Sequence, residues 1–293
     1  MSTQIPSVLT PTMRASAVRA RKRRLPFSGW HFVLVPLSIL FAIPLLQMFL
    51  ASLSPAAELQ RFPPPFVPSH LTTSGYESLF AQSNMLLWLG NTLIVSATAI
   101  VSNLILCSLA GYGFARLKFR GRNVLFFAIV GTIMIPTQVL MIPTYLLFSR
   151  LGLVNTLAAA IVPWLATAFG IFLMRQFFLS IPVELEEAGL IDGCSRWQVF
   201  MRIVLPLAKP ALATLAIFTL LGAWNDLVWP LIAINNANAF TLQLGIANFQ
   251  GVHRTDWSLL MAGNVVATLP LILFFTVAQK QFVATMSFSG LKG

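Results

Sequence analysis

Charged residues are scarce in this 293-residue chain, 9% of the total against roughly 25% in an ordinary soluble protein. With 57% apolar residues and a mean hydropathy of +0.81, that scarcity excludes a soluble globular domain and points to a bilayer. Acidic residues number only eight. Cysteine occurs twice, Cys107 in an apolar run and Cys194 in a polar one; such different environments argue against a disulfide between them. No Gly-x-x-x-x-Gly-Lys sequence is present, so the chain offers no phosphate-cradling loop of the Walker type, and any ATP hydrolysis must belong to a partner. The three histidines, His31, His70 and His253, are scattered, and the sequence offers neither a metal-ligand cluster nor the nucleophile and base of an intramembrane enzyme.

Long uncharged apolar runs are what the chain does have. Crossing a hydrocarbon core of about 30 Å takes roughly 20 helical residues, and lipid requires backbone groups to be satisfied within the segment. The pattern predicts an all-α membrane protein with six transmembrane helices near residues 30–53, 86–115, 123–149, 153–174, 207–230 and 259–279. Lys and Arg favour the cytoplasmic side of span ends. With the N-terminus inside, the cytoplasmic segments hold Arg14, Arg19, Arg21, Lys22, Arg23, Arg24, Arg116, Lys118, Arg120, Arg122, Arg175, Arg196, Arg202, Lys209, Lys280 and Lys292. The external segments hold only Arg61, Arg150 and Arg254, which predicts an N-in/C-in topology.

The net charge of +11 invites a nucleic-acid reading, but the basic residues lie at span ends, where they set topology and attract anionic headgroups. No nucleic acid is expected as a partner. The Arg-rich segment ahead of the first apolar run imitates a secretory signal, yet that run is longer than the 7–15 residues of a signal. The division expected is a cytosolic basic tail, 1–29, and one transmembrane domain, 30–293, without internal repeats.

Pro63-Pro64-Pro65-Phe66-Val67-Pro68 stiffens the first external segment, about 54–85. A third external segment, about 231–258, is polar and rich in Asn and Gln. Within apolar runs, Pro136, Pro143, Pro163 and Pro270 each remove a helical hydrogen bond, as in broken helices around transport pathways.

Half of the acidic residues, Glu184, Glu186, Glu187 and Asp192, fall in the polar island EEAGLIDGCSRWQVFMRIVLP and the residues just before it. Pro182 suits the first turn of a helix whose positive end the carboxylates complement. Gly193 suits a left-handed cap, and Ser195-Arg196-Trp197-Gln198 has the form of a capping box starting a second helix. The cytoplasmic loop 180–209 is thus expected to be helix, glycine turn, helix.

That island resembles the Glu-Ala-Ala loop by which permeases of ABC importers dock onto their ATPases. Further matches extend over nearly the whole chain, with Asn91-Thr92-Leu93, Tyr112-Gly113-Phe114-Ala115-Arg116, Ile135-Pro136, Ile142-Pro143-Thr144-Tyr145, Trp224-Asn225-Asp226 and Gly290-Leu291-Lys292-Gly293 in order. The chain resembles a permease subunit of a carbohydrate-uptake ABC importer. The resemblance implies the type I importer permease fold in a bacterial plasma (inner) membrane. It also implies a second permease subunit forming a heterodimer, two cytosolic ABC ATPase subunits, an extracytoplasmic solute-binding protein and a sugar substrate. No cofactor or metal is then expected in this chain, ATP and Mg being bound by the partner ATPase. It implies that Glu187, Ala188, Gly189, Asp192, Gly193, Ile203, Leu205 and Pro206 form the ATPase-coupling loop. Gly189 departs from the family's second alanine, weakening the helix by up to about 1 kcal/mol.

For the substrate pathway the sequence offers Asn225 and Asp226 at the end of a span, and Gln138 and Asn264 within spans. Each also has a structural reading, as a helix cap or as hydrogen-bonding glue between helices. No Lys or Arg lies deep in a span, which favours a neutral sugar or polyol. A secondary transporter would need an intramembrane acid or histidine relay, and none is apparent.

Overall fold

The computed structural model describes residues 29–251 and 255–289, with side chains up to residue 276. The expected basic tail up to residue 28 and the terminal Gly290-Leu291-Lys292-Gly293 lie outside the described residues. The chain divides into two units after Leu45. The described part of the first is mostly the start of α1 (His31–Ser52), which continues through Pro36 and Pro44 and exposes Phe32, Val33, Leu34, Ile39 and Phe41. Exposed apolar side chains of this kind are suited to face lipid.

The second unit is helical among its described residues. It runs through α2 (Ala56–Leu59), α3 (Ser74–Gln82), α4 (Met85–Arg116), α5 (Arg122–Gly131), α6 (Thr137–Arg150), α7 (Leu157–Ile161) and α8 (Ala168–Ser180). It continues with α9 (Glu184–Ile191), α10 (Arg196–Val199), α11 (Leu205–Leu207), α12 (Lys209–Trp224), α13 (Val228–Ala233), α14 (Leu242–Ala247) and α15 (Trp257–Ser289). At 1.5 Å per residue, the 32-residue α4 is about 48 Å long, and α8 and α12 pack against it more extensively than any other elements.

Among the described residues, four helical segments are long and apolar enough to cross a membrane: His31–Ser52, Met85–Arg116, Leu157–Ser180 and Trp257–Thr276. Arg122–Met134 with Thr137–Arg150, and Arg196–Leu207 with Lys209–Trp224, pass the same test only as pairs, bent by 104° and 75°. Six spans result if each bent pair is one crossing. The first bend falls at Ile135-Pro136, where proline cannot donate to the preceding turn; the run read as one span over 123–149 is therefore two helices.

The segment Leu157–Ser180 is also interrupted. A 3₁₀ turn, Val162–Trp164, precedes α8, whose cap Thr167 accepts the Gly170 N–H. Fully buried Asn103 on α4 serves this break: its Nδ2 donates to Trp164 O at 2.5 Å and Ala99 O at 3.0 Å, while its Oδ1 accepts Thr167 Oγ1 at 2.9 Å. In a membrane a carbonyl freed by a helix break must find such a partner.

The polar external segment expected over 231–258 is largely structured. Leu242, Leu244 and Ile246 of α14 are buried against α4 and α15. The Met85 end of α4 holds the turn before it. Trp88 Nε1 donates to Ala237 O at 3.0 Å, Asn91 Nδ2 to Asn238 O and Phe240 O, each at 2.9 Å, and Thr92 Oγ1 accepts the Leu242 N–H at 2.7 Å.

Candidate functional site

Two places in the second unit carry the sequence-derived candidates. The first is the polar island beyond the Arg116 end of α4. Helix α9 opens with Glu184, Glu186 and Glu187 in its first turn, complementing the positive end of the helix. It starts two residues after Pro182, which therefore precedes the helix. Gly193 follows with φ +85°, a left-handed conformation that costs glycine no Cβ clash. Ser195 and Gln198 then form a reciprocal capping box, Ser195 N donating to Gln198 Oε1 at 2.7 Å and Gln198 N to Ser195 Oγ at 3.3 Å. Past α10 the chain runs through a π-helical turn, Phe200–Val204, into α11 with Pro206.

The inner face of this hairpin is packed. Val199, Phe200 and Val204 are buried with Phe178 and Ile181, and each large apolar side chain withdrawn from water contributes about 1.5–3 kcal/mol. Gly189 is buried because a Cβ there would lie 2.5 Å from Ile203 Cδ1 and 3.3 Å from Val199 Cγ2. The departure from alanine thus lets Ile203 sit against α9. The outer face is open. Glu187, Ala188, Asp192, Gly193 and Pro206 are exposed, and beside them stand exposed Ile191, Trp197 and Leu190.

Sequence reasoning missed Glu186, which turns inward from between exposed Leu185 and Glu187. It is 7% exposed and pairs with Arg116 Nε at 2.5 Å. Alternating burial within one turn of a four-acid cluster has no signature in composition.

The second place is a cavity of about 510 Å³ lined by Thr137, Gln138, Thr144, Trp164, Asp226 and Trp229 among others. Three helix breaks meet around it: Thr137 and Gln138 open α6, Trp164 and Thr167 flank the interruption before α8, and Asp226 lies between α12 and α13. Asp226 accepts Trp164 Nε1 at 3.0 Å, so the carboxylate fixes one indole of the cavity wall. The structure brings Gln138 and Asp226 together here. Asn225 instead donates to Leu221 O at 2.8 Å, closing α12, and neither it nor Asn264, on α15, is among the cavity's lining residues. Pro163, Trp164 and Trp229 give the cavity an apolar, partly aromatic wall, and among the described residues its lining includes no Lys or Arg.

Among the described residues no group of three or more His, Cys, Asp or Glu is arranged to hold a metal ion.

Residues 103–288 match the family model of the binding-protein-dependent transport system inner membrane component. The chain is 34% identical, over 93% of its length and 100% of the relative's, to an arabinooligosaccharides transport system permease protein of Halalkalibacterium halodurans. It is 31% identical, over 90% of its length and 96% of the relative's, to a lactose transport system permease protein of Rhizobium radiobacter. In fold it is similar to a chain of a bacterial ABC transporter involved in the import of the acidic polysaccharide alginate. That match has a TM-score of 0.73 at 24% identity, and covers 88% of this chain and 99% of that one. A chain of the MetNI methionine ABC transporter in an inward-facing conformation gives a TM-score of 0.54 at 21% identity, over 72% and 97% of the two chains.

Proposed function

The chain belongs to the family of binding-protein-dependent transport system inner membrane components, and from that premise we propose that it passes a neutral saccharide across the membrane through the cavity at its three helix breaks. It is a multi-pass permease subunit of an ABC importer, not an enzyme, and has no cofactor of its own. In this reading it pairs with a second permease, receives substrate from an extracytoplasmic binding protein, and is driven by two ATPase subunits that bind ATP and Mg. In this reading the topology expected from the basic residues, six spans with both termini inside, puts the Arg116 end of α4 and the α9–α11 hairpin in the cytoplasm and the 237–242 turn outside.

The observation that carries the coupling reading is the hairpin itself. A rigid helical projection, packed on its inner face and presenting Glu187, Asp192, Ile191 and Trp197 outward, suits docking of a helix into a groove. Gly189, Gly193, Ile203, Leu205 and Pro206 hold its shape. The substrate reading rests on the cavity. Discontinuous helices whose ends converge on a polar pocket are the arrangement transporters use for binding, Trp164 and Trp229 offer ring faces, and Gln138 and the threonines offer hydrogen bonds. A carboxylate and no cation among the described lining residues disfavours an anionic sugar. Asn225 and Asn264 stay outside that lining, as helix-closing and α15 residues.

The test is reconstitution of the chain with its genomic neighbours in vesicles. Glu187→Arg and Gly193→Pro are expected to leave membrane insertion intact and abolish substrate-stimulated ATP hydrolysis. Unchanged stimulation in either would refute the coupling role.

A further inference from the structure

We propose that Glu186 and Arg116 form a pin fastening the docking hairpin to α4, so that a displacement of the hairpin becomes a displacement of α4. The proposal rests on the docking reading above and adds the element that receives the motion.

Both carboxylate oxygens of Glu186 are engaged by α4. Oε1 accepts Arg116 Nε at 2.5 Å and Oε2 accepts the Tyr112 hydroxyl at 3.0 Å. Arg116 makes a second link, Nη2 donating to Ile181 O at 2.7 Å, three residues before α9 begins. Tyr112 is held in turn by rings from two other elements: Phe178 of α8 lies edge-on at 5.8 Å and Phe200 of the π-helical turn at 4.7 Å between centroids. The Arg116 and Glu186 side chains are 10% and 9% exposed. A buried ion pair contributes little net stability, but removing one partner strands a charge away from water. The pair therefore acts as a fixed joint. Neighbouring Glu187 is about 100° further round the helix and exposed, so adjacent carboxylates divide the labour, one facing the partner and one gripping α4.

Helix α4 is suited to carry motion onward. It is uninterrupted from Met85 to Arg116, its middle holds the break beside the cavity through Asn103, and its far end holds the 237–242 turn through Trp88, Asn91 and Thr92.

The experiment uses the assembled complex in proteoliposomes with Glu186→Gln, Arg116→Gln, the double variant and Glu187→Arg. Two quantities are read: ATPase subunit recovered with the tagged permease, and stimulation of ATP hydrolysis by the substrate-loaded binding protein. For the pin, each Gln variant retains its ATPase subunit while stimulation falls about tenfold, within the usual range for coupling between sites. The double variant is then no worse than either single, because the two residues act as one unit. Unchanged stimulation in both singles, additive losses in the double, or loss of the ATPase subunit from the Gln variants each overturns the pin. If a single variant does not accumulate, Tyr112→Phe, which keeps the ion pair and removes one bond, is expected to reduce stimulation by a smaller factor, and no reduction overturns the proposal. Full recovery and stimulation with Glu187→Arg would instead refute the docking reading itself.

Discussion

The two ends of α4 are fastened by different chemistry. At the Arg116 end the grip is ionic and aromatic, Glu186 to Arg116 with Tyr112 between two phenylalanine rings. At the Met85 end it is neutral, with indole, amide and hydroxyl groups bonding the backbone of the 237–242 turn. A charged joint is sensitive to loss of one member, because the other is left unpaired. A set of neutral hydrogen bonds divides the same task among several groups, each worth about 0.5–1.5 kcal/mol net. The charged part of the hairpin's fastening thus rests on one pair, whereas the polar fastening of the outer turn is a distributed set.

The same Gly→Ala change at each end sharpens the contrast. Gly245 lies against the Trp88 ring, so that a Cβ there would overlap the indole itself, and the ring is tethered by its N–H to Ala237 O. Gly245→Ala is expected to cost about 1–3 kcal/mol as overpacking, read as a fall in the melting temperature of the purified protein. A smaller loss follows at the same end from Asn91→Leu, about 1–2 kcal/mol for two carbonyls left without their donor. Faster hydrogen exchange confined to residues 237–242 is its signature, and protection equal to wild type would show that the turn is held by Trp88 and Thr92 alone. Gly189→Ala meets side-chain ends, the tip of Ile203 at 2.5 Å and Val199 Cγ2 at 3.3 Å, and the first can turn aside. Helix propensity favours alanine by up to about 1 kcal/mol, so the net change is expected to be small, and Gly189→Ala with Ile203→Val should be at least as stable as wild type. A large loss in that double variant would mean that the α9 backbone, not Ile203, sets the spacing.

The smallest effect lies outside both ends. Glu58 in α2 accepts the hydroxyl and the backbone N–H of Ser69, and the hydroxyl is the main reason its carboxyl is held below the usual range. A depressed folded value stabilises above the ordinary carboxylate pKa and is lost as pH falls through the lowered one. Ser69→Ala should therefore lower the neutral-pH plateau of the pH–stability curve slightly, leaving stability at low pH, where the carboxyl is protonated folded or unfolded, almost unchanged. A neutral plateau equal to wild type would assign no role to that hydroxyl.

Much of this architecture is legible in residue patterns because the relevant signals are local. Apolar run length, the left-handed turn at Gly193 and the capping box at Ser195 depend on residues within one or two turns. The 104° bend at Ile135-Pro136 is only half legible: proline marks the break, but the angle is set by packing. Glu186 was read merely as one of a cluster of acids. Its partner Arg116 is 70 residues away, and only the crossing of helices decides which of the adjacent carboxylates faces inward. Likewise Leu242, Leu244 and Ile246 alternate with polar and small residues in what reads as an exposed loop; Leu242 and Ile246 are buried in the cluster that holds Trp88, and Leu244 in the one that holds Val95 and Trp229. For the pathway, Gln138 and Asp226 share a lining because three helix breaks converge, a relation that no single segment encodes.

The π-helical turn at Phe200–Val204 bears on aim rather than strength. A π turn accommodates one residue more than an α-helix does over the same stretch, and one α-helical residue corresponds to a rotation of about 100°. Whatever lies before it, Trp197 included, is therefore pointed in a direction that a continuous α-helix from Pro206 would not give. Shortening the turn by a single residue would leave every apolar run and every cap in place and yet re-orient the surface offered to the partner, so the length of this segment acts as an angular setting for the whole hairpin.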